Sequence, residues 1–317
     1  MNKRLLITLA TLAILTGQGC QIQKNPSKMA KQTFLYKYGV PVSEREWNTR
    51  GKIGKVITTL NNGITISRSY SKGVLEGDTT QTFPHTNTVE SIKTYENGTL
   101  IKEKINFVSG APMREINHPS SAESVVTIWY NSGSPSSIEY YNNNRLISGE
   151  YFNVRNEVES TVAEGNGTRA NRDPFGSLLS RDSFTEGRIT ESITYHDDNT
   201  PSSITPYYEN IVHGTKKTFY LNGSPKTIEE WSNGRQSGLT TLFKNGVKVA
   251  EINYRRGKKD GIERRFDEYA NLIAEINWIN DERHGATNTF FSGEVTTDWF
   301  LENYPVSKLT YDQYQQL

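Results

Sequence analysis

Short runs of β-prone residues alternate with polar ones along most of this chain, and the runs stop at turn residues every 11 to 12 positions. In Ala250–Tyr254, Ala250, Ile252 and Tyr254 fall on one side, and Glu251 and Asn253 on the other. That two-residue period is the mark of a half-buried strand. Ile189-Thr190-Glu191-Ser192-Ile193-Thr194-Tyr195 reads the same way. The turns follow an aromatic residue: Tyr95-Glu96-Asn97-Gly98, Tyr220-Leu221-Asn222-Gly223, Trp231-Ser232-Asn233-Gly234, Phe243-Lys244-Asn245-Gly246 and Tyr254-Arg255-Arg256-Gly257. Asn-Gly between β-prone runs is a strong hairpin signal, because both residues tolerate positive φ. Apart from the first twenty residues, no stretch sustains a helical period. The pattern predicts an all-β protein: an elongated, single-layer antiparallel meander of stacked hairpins.

The hairpins return on a fixed period. Gly214, Gly238, Gly261 and Gly285 are 24, 23 and 24 residues apart. Two aromatic columns keep step with them: Tyr220, Phe243, Phe266 and Phe290, and Trp231, Tyr254 and Trp278. A period of this size marks a repeat architecture, in which each unit buries its faces against its neighbours. The repeats are regular over 188–300 and more divergent over 50–164, where Gly54 to Gly77 spans 23 residues and Gly77 to Gly149 spans 72. The 65 residues from Gly149 to Gly214 read as two units plus an irregular insert, 165–187. Gly98, Gly223, Gly234, Gly246 and Gly257, together with the four period-marking glycines, are expected at turns. The aromatic columns are expected to form cross-strand ladders. Residues 301–317 form a C-terminal tail.

The N-terminus carries a different message. Lys3 and Arg4 precede an apolar run, Leu5 to Leu15, and Gly17-Gln18-Gly19-Cys20 follows. This order is that of a secretory signal peptide, 1–19, and the run falls short of the roughly 20 apolar residues of a transmembrane helix. Cys20 is the sole cysteine, which excludes an internal disulfide and a cysteine-based metal site. The segment resembles a bacterial lipoprotein signal, with Gly17 standing where such a box carries leucine. The resemblance implies lipidation at Cys20, and Gln21 after it implies sorting to the outer membrane, facing periplasm or surface. Ordinary cleavage near Gly19 is the alternative. Residues 20–49 read as a polar tether and lead-in.

Tyr254-Arg255-Arg256-Gly257-Lys258-Lys259-Asp260-Gly261 resembles the MORN repeat, in the variant found in YwqK-type antitoxin proteins. Phe219 to Gly223 followed by Glu230 to Gly234 resembles the same two-part unit, whereas Phe266 to Ala270 lacks the Asn-Gly. The resemblance implies an elongated β array that serves as a contact scaffold.

Composition changes the picture little. Hydrophobic residues make up 34% of the chain and aromatics 11%, which suits a thin sheet better than a deep core, and a formal net charge of +1 gives no electrostatic case for nucleic acid. His213 and His284 precede period-marking glycines, and His196-Asp197-Asp198 occupies a turn; no histidine pair has ligand spacing. Neither a nucleophile elbow nor a phosphate loop is present. Glu251 and Glu275, with Glu229 or Glu230 one unit earlier, form a column of carboxylates along a wet face. Arg255, Arg256, Lys258, Lys259, Arg264 and Arg265 form a basic cluster diluted by acidic neighbours. The expectation is therefore a non-enzymatic cell-envelope scaffold for protein–protein contact, without catalytic residues, metal or cofactor. Its partner is a protein, and the membrane is met through the N-terminal lipid alone. Alternatives are a module binding cell-wall or surface glycans through Trp231 and Trp278, and an antitoxin-like neutraliser of an exported toxin.

Overall fold

The computed structural model describes residues 29–316; the signal segment and Cys20 lie outside them. Among the described residues 26 strands form one sheet. Most strands pair antiparallel with their neighbours in the chain, as in Arg235–Lys244, Val247–Arg255, Lys258–Phe266 and Leu272–Ile279, and Pro201–Tyr208 pairs with both Ile211–Val212 and Gly214–Phe219. At the start, Met29–Tyr36 lies between Val40–Val42 and Gly54–Leu60. No pairing among the described residues joins the first strands to the last, so the sheet is an open meander of hairpins, as the alternation and the turns require.

The two long edges are built differently. One carries tight two-residue turns, such as Asn97-Gly98 (φ 47° and 79°), Asn233-Gly234 (49° and 74°) and Arg256-Gly257 (53° and 87°). Two successive positive φ values are what a hairpin turn matched to strand twist demands. These tips are tied in sequence: the N–H of Gly98 donates to Leu75 O, of Gly234 to Val212 O, and of Gly257 to Gln236 O, at 2.9, 2.9 and 2.7 Å. The opposite edge carries mostly longer loops, opened by Leu60, Phe83, Phe107, Tyr130, Asn153, Asp173, His196 and Tyr220, at intervals of 20 to 24 residues. Tyrosines there bind the next unit: Tyr130 Oη–H donates to Phe152 O at 2.6 Å and Tyr220 Oη–H to Phe243 O at 2.9 Å.

Three expectations need correction. Residues 165–187 are not an irregular insert. They form the strands Asn166–Arg172 and Leu178–Thr185, paired with each other and with the sheet on both sides. Their unit is slightly contracted, and its turns are Glu164-Gly165 and Glu186-Gly187, with glutamate at positive φ where asparagine is usual. The lead-in is not wholly a tether, since the sheet begins at Met29. The period-marking glycines are not turn residues. Gly214, Gly238, Gly261 and Gly285 lie at the start of or inside strands, with φ of 104°, 117°, 107° and 95°. Gly238, Gly261 and Gly285 sit at register shifts where three residues face one. They are bulge residues that bend the strand once per unit.

Both ends of the sheet close on the same element. Val40-Pro41-Val42 pairs with Phe34–Tyr36, and Tyr304-Pro305-Val306 pairs with Trp299–Leu301. A serine follows each (Ser43, Ser307) and caps a short helix, Glu44–Thr49 or Lys308–Tyr314. Each helix returns an aromatic to the sheet: Trp47 lies 5.9 Å from Phe34 and Tyr311 lies 4.8 Å from Trp299, between ring centroids. Proline offers no N–H, so it suits an outermost strand. A single layer can bury little, and only ten hydrophobic side chains are buried among the described residues. Leu146, Tyr151, Val162 and Ala170 cluster in the middle of the sheet, flanked by Tyr141, Leu178 and Phe184. No helix among the described residues is long and apolar enough to cross a membrane.

Candidate interaction surface

The second aromatic column sits in a repeated frame. On the preceding strand a bulge glycine lies directly opposite each ring: Gly214 opposite Trp231, Gly238 opposite Tyr254, Gly261 opposite Trp278. On the following strand the partner is a long polar side chain: Gln236, Lys259 and Arg283 respectively. The ladders predicted from the sequence are thus interleaved with cations. Among the described residues no ring contact joins two members of either column. Lys216 Nζ lies 5.4 Å from the ring centre of Trp231, and Lys259 Nζ lies 4.5 Å from that of Trp278. Arg283 also spans Trp278 and Phe300, at 5.9 and 5.3 Å. In the first column Lys226 lies over Tyr220 (5.8 Å) and Lys248 over Phe266 (4.5 Å). Each such contact contributes about 0.5–1 kcal/mol when exposed, and more when desolvated.

A buried carboxylate, Glu263, holds one of these cations. Glu263 Oε2 accepts from Lys259 Nζ at 2.8 Å and its Oε1 accepts from Arg265 Nε at 2.7 Å. Burial pushes the Glu263 carboxyl up, but the two cations outweigh it and hold it below the usual carboxylate range. Glu229 accepts the indole N–H of Trp231 at 2.9 Å. One unit pair later Ile276 stands two residues before Trp278, and the buried Trp278 Nε1 finds no partner.

The carboxylate column does not converge. Arg264 pairs directly with both Glu251 and Glu275 on its two neighbouring strands, and its Nε donates to Glu275 Oε1 at 2.9 Å. Glu229 lies on the opposite face, in register with Thr240 and Ile252. His196 and Asp198 stay in their loop, Asp198 accepting from Thr200. His284 is not in a turn but in Glu282–Phe291, against Tyr311 and Tyr314. No group of three metal-ligating side chains occurs among the described residues.

The most elaborate cluster lies where an insert was expected. Glu139 and Asp182 are buried, at 6% and 4% exposure, on the same face as Arg169. Glu139 accepts from Tyr141 Oη–H (2.8 Å) and Tyr151 Oη–H (2.9 Å). Asp182 accepts from Arg169 Nη2 and Asn171 Nδ2, each at 2.8 Å, and from Ser192 Oγ at 2.6 Å. Arg169 Nη1 also faces Glu139 Oε1 at 3.6 Å, and the guanidinium covers Phe184 at 4.9 Å. Burial, reinforced by the charge of Glu139, pushes the Tyr141 and Tyr151 hydroxyls far above their ordinary range. Burial alone lowers a guanidinium, yet Glu139 and Asp182 hold Arg169 above its usual value. Every group is satisfied internally, so this network braces the sheet and has no open coordination to offer.

No family model matches the chain, and no curated protein does. Among solved structures, S. aureus TarM is similar at 14% identity over 38% of this chain, with a TM-score of 0.19; the chain spans about a fifth of the TarM chain, 21%. BamB from Moraxella catarrhalis is similar at 9% identity, covering 79% of this chain and 82% of that one, with a TM-score of 0.14. A porin-like protein from Bacteroides uniformis is similar at 8%, covering 86% and 93%, with a TM-score of 0.16. Overlaps this slight carry nothing about function.

One surface feature escaped the sequence reading. On the edge of longer loops, Val108, Val154, Phe175, Leu221, Tyr269 and Phe291 project at or beside the loop tips, each between 55% and 79% exposed. The tips belong to successive or alternate units, so they form one row with a spacing of about 9.5 Å or twice that, from two strands per unit. In five of them the signal is the residue one or two places after the loop opens, apolar there and polar in other loops, whereas Phe291 ends its strand beside the tight turn Ser292-Gly293. A periodic search for aromatics passes over both.

Proposed function

We propose that this is a non-enzymatic, MORN-like repeat protein of the bacterial cell envelope that presents its sheet as a scaffold for protein–protein contact. The observation that carries the reading is the row of apolar loop tips along one edge. Isolated exposed apolar residues are ordinary, and it is the regular row, in register with the fold, that supports a contact surface here. Cations cover Trp231 and Trp278, which favours this edge over the indoles as the contact surface and weakens the case for glycan stacking. Export follows from the charged start and apolar run, and anchoring from Cys20.

Two experiments test the parts separately. Affinity capture from cross-linked envelopes should recover one stoichiometric protein partner with the wild type. The same partner should be lost with Phe175→Ser/Tyr269→Ser/Phe291→Ser, which alters exposed side chains only. Equal recovery by both proteins ends the edge assignment. Intact mass and membrane fractionation of wild type against Cys20→Ser read the anchor: a diacyl or triacyl mass increment absent from the variant is expected.

A further inference from the structure

The basic cluster of 255–265 is divided by the fold into paired and unpaired members. Lys259 and Arg265 are taken by Glu263, Arg264 by Glu275, and Arg255 by Asp260, with Arg255 Nη2 2.7 Å from Asp260 Oδ2. Arg256 and Lys258 remain, both exposed at the tight turn between Val247–Arg255 and Lys258–Phe266. Neither side chain has a hydrogen bond or ion pair among the described residues. The preceding turn on that edge, Asn233-Gly234, carries a third unpaired cation, Arg235. Between the two turns lies an open cleft of about 460 Å³, lined by Ser232, Asn233, Arg235, Ser237 and Arg256. No carboxylate lines it. The nearby acids are committed elsewhere: Asp260 to Arg255, and Asp281 to the Lys259 backbone N–H at 2.6 Å.

Neighbouring units do not repeat the arrangement. The tip before it is Glu209-Asn210, where Glu209 pairs with Arg188, and the tip after it is Asn280-Asp281. The hydrogen bond from Gly257 N–H to Gln236 O fixes the two walls relative to each other. Two guanidiniums without counter-ions, two hydroxyls and an amide around one cleft are the donors that suit a tetrahedral oxyanion, since guanidinium forks bind such groups bidentately. The volume falls in the range of small-ligand sites, about 300–1,000 Å³.

We propose that the cleft between Asn233-Gly234 and Arg256-Gly257 is a binding site for the phosphate group of a small phosphomonoester, with Arg235 and Arg256 as the anion-binding residues and Ser232, Asn233 and Ser237 contacting its polar remainder. The site lies on the edge opposite the apolar tips and is independent of the protein contact proposed above.

The test is calorimetric titration of the full chain at low ionic strength with inorganic phosphate and with glucose 6-phosphate. Saturable one-site binding is expected for both, tighter for the sugar phosphate. Arg235→Gln/Arg256→Gln should weaken it by about tenfold or more, the loss of a charge-assisted pair. Arg256→Lys should fall between, because it keeps the charge and loses the fork. Lys72→Gln, on another tip of the same edge, should bind as wild type does. The proposal is overturned by absence of saturable binding in the wild type, or by undiminished affinity in the double variant. Equal loss in Lys72→Gln, or uptake only onto phosphatidylglycerol vesicles with none of either phosphate, would also overturn it by showing a diffuse basic edge.

Discussion

Single side chains decide stability here because a one-layer sheet has few buried positions to share the load. Arg169 is the clearest case. Its removal leaves Glu139 and Asp182 buried on one face without their cation, and breaking such a pair costs about 3–5 kcal/mol. Arg169→Met should lower the unfolding free energy by that amount in urea titration; a loss under about 1 kcal/mol would show that the network is solvated. Glu263 sets a pH response. Its folded carboxyl titrates below the ordinary value, so its stabilising effect is complete above the unfolded glutamate value of about 4.3 and is lost as the pH falls below it. Melting temperature measured from pH 7 to pH 3 should therefore fall less steeply for Glu263→Gln than for wild type, from a lower start. Parallel curves would remove Glu263 from the account. None of these residues announced its role in the sequence. Glu139 reaches Arg169 only once Glu164-Gly165, with glutamate where asparagine is usual, is recognised as a turn, and Arg169 reaches Asp182 only across the loop 173–177.

At the scale of the hairpin, the unit was legible: strand alternation, Asn-Gly turns and the returning aromatics all recur in the observed pairing. What stayed hidden was the purpose of the second glycine of each unit. A turn and a bulge both need positive φ, so the residue type alone does not separate them. The pairing does, by setting the glycine across from an aromatic. Gly238 shows how little space exists there: an added Cβ would lie 2.9 Å from Glu230 Cβ, at a φ of 117°. Gly238→Ala should cost about 1–3 kcal/mol by thermal or chemical unfolding, as a strained backbone position does. Gly223, at a loop tip with nothing within 4 Å, should cost less, because only its φ of 78° opposes the change. Equal costs at the two sites would mean that the bulge relaxes freely. The aromatic columns were visible by spacing, but their cationic covers were not, since Lys216, Lys259 and Arg283 read as ordinary surface charge until the register placed them beside Trp231 and Trp278.

For the molecule as a whole, near-neighbour contact is the rule. Each strand meets the strands beside it, so a complete unit is a separable module. Excising Arg235–Gly257 joins Asn233-Gly234 to Lys258 and restores a two-residue turn between Pro225–Ser232 and the strand from Lys258. The shortened chain should fold cooperatively with two strands fewer and a sheet about 9.5 Å shorter, read by small-angle scattering. Collapse into an unfolded or aggregated state would show that distant units are coupled.

The matching Pro-Val-Ser closures at the two ends bear on this directly. With proline in both outermost strands and an aromatic-bearing helix folded back beside each, neither rim invites another hairpin to join. The span of the sheet is then set by the number of units in the chain, as graduations set the length of a ruler. Lineages that gain or lose reach should do so by duplicating or dropping whole units between the closures, leaving both closures in place.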